Sequence, residues 1–149
     1  MPHTSDSITY LPLPSWLEAS VEEAISATSN TVVSDSQRWA FEFELPVNEG
    51  VKRVVDQTKK VYLEKSSSEV SFLSSHGAVF KGSWRSGGLV DTIIIPLMGY
   101  GAEVTARNEG GKEIKVDWNW KNAILVSRHT VFRIEGETKI GAVIITLRR

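Results

Sequence analysis

Among its 149 residues the chain has no cysteine, which excludes disulfide staples, thiolate metal sites and thiol nucleophiles. It also lacks a long apolar run. The stretch Ile93-Ile94-Ile95-Pro96-Leu97-Met98 falls far short of the ~20 residues that a membrane-spanning helix needs. Nor is there an excess of one charge, with 17 Lys and Arg against 18 Asp and Glu. Without a basic surplus to displace counterions from a phosphate backbone, no nucleic-acid partner is expected. The start, MPHTSDSITYLPLPSW, has no basic segment leading into an apolar one, so no export signal is expected and the compartment stays open. Histidine is scarce. His3, His76 and His129 include no pair at the i, i+2 or i, i+4 spacing that puts two imidazoles on one metal, and neither a metal nor another cofactor is expected.

What is present is β signal. Residues 1–14 are polar and then broken by Pro12 and Pro14, which favours an extended arm. Ser15 and Glu18 have capping-box spacing, and Leu17, Val21, Ala24, Ile25 and Thr28 share one face, predicting a short amphipathic helix over 15–29. Trp39, Phe41 and Phe43 alternate with polar or small residues, as in a half-buried strand. Residues 48–65 are ambiguous: Val51, Val54, Val55 and Thr58 suit a helical stripe, while Val61-Tyr62-Leu63 suits a strand. From Glu69 onward come eight short β runs at 70–73, 78–84, 89–97, 102–106, 113–121, 124–127, 130–134 and 141–147. Ser75-His76-Gly77, Ser86-Gly87-Gly88, Asn108-Glu109-Gly110-Gly111 and Gly136-Glu137-Thr138-Lys139 separate them as turns. The expected fold is mainly β, an antiparallel β-sandwich with a short N-terminal helix, in which 15–149 form one domain.

The stretch EIKVDWNWK at 113–121 alternates strictly, with Ile114, Val116, Trp118 and Trp120 on one parity and polar residues on the other. A strand puts those four on one face. Whether that face is core or contact surface is left open, since tryptophan suits both.

The words VSFLSSHGAVFKGSW, DTIIIPL, EVTARNEGG, DWNW and FRIEGETKIGAVIIT, in that order, resemble the C-terminal β-sandwich of the cholesterol-dependent cytolysins. The pattern is also similar to small aegerolysin-like and Pir toxin A-like sandwiches. The resemblance implies a membrane-binding tip. In it Arg107 matches the arginine before a tryptophan-rich loop, Trp118 and Trp120 two of its tryptophans, and Thr138 the threonine of a sterol-recognising pair whose second position is Lys139 here. With Lys121, these form the expected ligand-binding set.

The chemical signals are thin. Gly99-Tyr100-Gly101 lacks the lysine and following helix of a phosphate loop. Ser75 with His76, and Ser127 with His129, lack a Gly-x-Ser-x-Gly elbow and read as turn residues. The expected function is therefore a non-enzymatic module that binds a membrane lipid or glycan as a toxin or host-interaction component, and that could pair with itself or a partner protein. The alternatives are a small β-barrel cyclase or isomerase holding a hydrophobic substrate in an internal cavity, and a capsid or tail assembly subunit.

Overall fold

The ambiguous segment 48–65 is one helix. In the computed structural model, which describes residues 8–33, 40–66, 69–108, 111–136 and 138–148, helix α2 spans Glu49–Lys65 and buries Val51, Val54, Val55, Thr58, Val61 and Tyr62. Those positions fall at helical spacing along one continuous stripe, so burying them outweighs the few tenths of a kcal/mol by which Val and Tyr disfavour helix. Asn48 caps the start, its Oδ1 accepting the Val51 N–H at 3.0 Å, a bond that satisfies one orphan donor of the first turn. The N-terminal helix is longer than expected: a 3-10 turn at Ser15–Leu17 leads into α1, Glu18–Val33. Its buried face, Leu17, Val21, Ala24 and Thr28, packs on α2.

Among the described residues ten strands form two antiparallel sheets. The six-stranded sheet has the order β1-β8-β5-β10-β3-β2, built from Ile8–Pro12, Asn122–Val126, Asp91–Met98, Ile140–Arg148, Ser71–Phe80 and Ala40–Phe43. The four-stranded sheet has the order β4-β9-β6-β7, built from Ser83–Arg85, Thr130–Ile134, Val104–Asn108 and Ile114–Val116. The two pack as a sandwich, as the β pattern predicts. The larger sheet is covered on both faces. Ile93, Ile95, Val143 and Ile145 meet the two helices, while Ile94, Ala142 and Ile144 meet Val104, Ala106, Phe132 and Ile134 of the smaller sheet. Two-sided burial explains why β5 and β10 read as near-continuous apolar runs, and one-sided burial why the strands of the smaller sheet alternate. From β3 onward the chain winds between the layers, β3, β5, β8 and β10 in the larger sheet and β4, β6, β7 and β9 in the smaller.

Two turns differ from expectation. Ser75-His76-Gly77 is no turn but the middle of β3, paired with β10 on one side and, at Gly77, with β2 on the other. The glycine is there for close approach, because a Cβ on Gly77 would lie 2.3 Å from the Phe43 ring. Conversely, the strand expected over 113–121 stops at Val116. Beyond it the Lys121 N–H donates to Asn119 Oδ1 at 2.7 Å, a local side-chain turn that competes with strand pairing. The chain there crosses from the smaller sheet to the larger. Of the residues 1–14 expected as an extended arm, 8–12 form the edge strand β1, paired with β8. Trp39 and His3 lie outside the described residues.

Candidate functional site

At one end of the sandwich β4 and β8 finish and β5 and β9 begin. Ser86 fastens this end. Its hydroxyl donates to the Ser127 carbonyl at 2.8 Å and accepts the Thr130 N–H at 2.8 Å, while its own N–H donates to the Thr130 carbonyl at 2.9 Å. With its proton committed and only 2 % of its surface exposed, Ser86 is a latch rather than a nucleophile. The 127–130 turn that it holds projects two groups. Arg128 Nε lies 3.6 Å from Oδ1 of the buried Asp91, and nearly half of the arginine side chain is open to solvent. His129 has φ 61°, making it the one non-glycine residue with positive φ among the described residues. Its ring lies on Gly88, where a Cβ would come within 2.5 Å of Cε1. Left-handed backbone at a non-glycine residue costs on the order of 1–2 kcal/mol and concentrates at functional sites.

Between the sheets the space is filled by aromatic rings. Trp84 stacks on Phe80 with centroids 5.7 Å apart, Phe132 meets Trp84 edge-on at 5.7 Å, and Trp118 meets Phe80 edge-on at 6.4 Å. The cyclase or isomerase alternative expects an internal substrate cavity, and these rings pack in the region between the sheets where it would lie. A groove of about 330 Å³ lies instead on the helix side, lined by Leu45, Val47, Val51, Lys52, Val55 and Ser75 among others.

The expected ligand-binding residues are dispersed. Trp118 is 3 % exposed in the inter-sheet core, its indole N–H donating to the Met98 carbonyl at 2.9 Å. Trp120 is half-buried against the helix-side core. The two indoles therefore lie on opposite sides of the larger sheet, because the strand that was to keep them on one face ends before them. Arg107 is exposed on β6, Lys121 exposed in the following turn, Thr138 exposed and Lys139 half-buried before β10. Sequence reasoning passed over Asp91 and Gly88. Asp91 opens an apolar strand and Gly88 sits in a Ser-Gly-Gly turn, and neither position signals that Arg128 and His129 fold against it.

No family model matches the chain, and no curated protein matches it. Solved structures do. A prolyl hydroxylase from Trichoplax adhaerens, in complex with a peptide of hypoxia inducible factor, aligns with a TM-score of 0.66 at 11% identity over 96% of this chain and 84% of its own. The non-heme alpha ketoglutarate dependent carbocyclase SnoK of nogalamycin biosynthesis aligns with a TM-score of 0.62 at 13% identity over 95% and 79%. The epimerase SnoN, of the same dependence and biosynthesis, aligns with a TM-score of 0.63 at 9% identity over 96% and 78%.

This likeness overturns the cytolysin resemblance. The short words that carried it reflect strand composition, whereas the fold over 95–96% of the chain is like that of these three structures. The non-enzymatic, toxin-like lipid- or glycan-binding reading falls with it, since the structures that share this fold are enzymes. Among the described residues no helix is long and apolar enough to cross a membrane.

A non-heme iron(II) oxygenase centre takes two histidines and a carboxylate on one face of the metal. The described residues do not fit it. No group of three His, Asp or Glu side chains among them could hold a metal ion. His76 Nε2 faces Glu42 at 3.4 Å on the larger sheet, while His129 stands at the sandwich end on Gly88. The hydroxyls of Ser86 and Thr130 are bonded into the same turn.

Proposed function

We propose that the chain is an acid–base enzyme of the isomerase or cyclase kind, built on the oxygenase fold, that takes a small organic acid at the open end of the sandwich. The observation that carries this reading is His129, held in left-handed backbone over Gly88 by a turn that Ser86 and Thr130 lock in place. Histidine is the side chain whose ordinary pKa suits it both to take and to return a proton near neutral pH. Beside it Arg128, anchored by the buried Asp91, keeps outward donors in a planar fork suited to a carboxylate. The substrate carboxylate binds Arg128, His129 removes a proton from the adjacent carbon, and the same proton returns at the other face or at a neighbouring atom. No external oxidant enters. An epimerase and a carbocyclase among the structures sharing the fold support this reaction class, although those enzymes depend on alpha ketoglutarate.

The test is proton NMR in deuterated water with a panel of small hydroxy and keto acids. Wild type is expected to exchange the hydrogen beside the carboxylate of at least one acid, and His129→Gln to lose that exchange while keeping its melting temperature. Absence of exchange across the panel, or undiminished exchange in His129→Gln, refutes the proposal. Formation of succinate from 2-oxoglutarate on addition of iron(II) refutes it from the other side.

A further inference from the structure

The outer face of the four-stranded sheet carries segregated charge. Pairing places Arg85, Val131 and Arg107 side by side across β4, β9 and β6. The next outward row is Ser83, Arg133, Thr105 and Lys115 across all four strands. One step further along, Glu135 and Glu103 sit side by side, the N–H of the first donating to the carbonyl of the second at 3.0 Å, and Asp117 follows the end of β7 next to Glu103. These four cations and three anions are all exposed, and so is Glu113, which extends the Arg107 row one position beyond Ile114 of β7. Among the described residues an intramolecular bridge crosses the face, from Arg133 Nη1 to Glu113 Oε2 at 3.7 Å, and Lys81 borders the acidic row on the β3–β4 turn. The first two rows thus carry four cations and one anion, and the third carries three anions.

We infer that this face pairs with the same face of a second copy of the chain about a two-fold axis. A long polyanion fits it poorly, because the acidic row repels whatever extends past the basic rows. A second copy fits. A two-fold axis running across the strands, between the Arg133 row and the Glu135 row, sets Arg133 of one copy over Glu135 of the other and Lys115 over Asp117. Symmetry repeats each pair. Four strands at ~4.8 Å spacing by about five residues at ~3.3 Å rise give a face of roughly 300 Å², well under the ~800 Å² per partner of a standard stable complex. Association is therefore reversible, and it weakens as salt screens the pairs. The face adjoins the His129 turn through Arg85 and Val131, but its pairs include neither Arg128 nor His129, so association and the proposed activity are read by separate measurements.

Sedimentation equilibrium over a range of concentrations provides the test. Wild type is expected to rise toward twice the monomer mass at low salt and to return to monomer at high salt. Arg133→Glu and Glu135→Arg, each checked for native circular dichroism, are each expected to stay monomeric at low salt. Mixing these two variants is expected to restore association, as is combining both substitutions in one chain. Wild type that remains monomeric at every concentration in low salt overturns the inference. So does undiminished association of both single variants, or failure of the mixture to associate. Monomeric wild type that captures a single-stranded oligonucleotide at low salt overturns it in favour of a polyanion.

Discussion

Replacing Trp118 with alanine should cost far more stability than replacing Trp120, despite their spacing of two residues. Trp118 is 3 % exposed, lies edge-on to Phe80 and satisfies the Met98 carbonyl. Truncating a buried tryptophan of this kind costs ~3–5 kcal/mol through lost transfer energy and the remaining cavity. Loss of the hydrogen bond is part of that penalty, and Trp118→Phe isolates it at roughly 1–2 kcal/mol. Trp120 is half-buried at the margin of the other core, and its truncation should cost roughly 1–2 kcal/mol from partial burial at ~25 cal/mol per Å². Against a net stability of ~5–15 kcal/mol for a domain of ordinary size, the first change brings the protein near unfolding and the second does not. Urea denaturation followed by circular dichroism reads both as shifts in midpoint at unchanged slope. The two substitutions should be additive to within ~0.5 kcal/mol, since the rings pack in separate cores. Equal costs, a larger cost for Trp120, or coupling beyond ~1 kcal/mol would refute the assignment of the two rings to separate cores.

Three further outcomes follow from the same coordinates. Gly77→Ala should destabilise by roughly 1–3 kcal/mol through overpacking, because its Cβ meets the Phe43 ring; Phe43→Leu in the same chain should recover part of the loss in a thermal melt. His129→Gly should raise stability by up to ~1 kcal/mol by relieving left-handed strain, while abolishing the proton exchange proposed above, a trade expected where strain serves function. Tyr100 donates its hydroxyl to the Pro96 carbonyl at 3.0 Å, and burial pushes its pKa from 10.0 up to about 12. Because the folded value lies above the unfolded one, this stabilisation is complete below pH 10 and is lost as pH rises toward 12; alkaline denaturation of Tyr100→Phe should lack that component.

The sandwich was legible because the clearest sequence signal, period-two alternation and apolar runs between turn residues, is set by the same burial that builds the two sheets. Helix α2 was half legible: Val51, Val54, Val55 and Thr58 announce a stripe, but Val61-Tyr62-Leu63 favour strand locally, and only packing against α1 and the larger sheet decides for helix. Gly77 misled because glycine marks both turns and close approaches, and the ring that makes this one a close approach comes from Phe43, far away in sequence. The likeness in fold to these structures was not legible at all, since it resides in how the strands are arranged in two layers, which short words such as DTIIIPL and DWNW do not encode. The His129 turn was half visible. Ser127 and His129 stood out as a pair, yet their partners Ser86, Gly88 and Asp91 are brought to them only by the closing of β4 and β5 onto β8 and β9.

The placement of β10 has a consequence in time. This last strand lies between β3 and β5, and its residues 140–148 supply the partners for both. Until they emerge from the ribosome, β3 and β5 each present an unpaired edge, because β10 is the neighbour that each lacks. The larger sheet can close only once β10 is available, through contacts between residues far apart in the chain, a topology that folds slowly and exposes adhesive edges while it waits. Any perturbation that delays or shortens that strand should therefore be felt first as aggregation during expression, before any loss of stability in the finished protein.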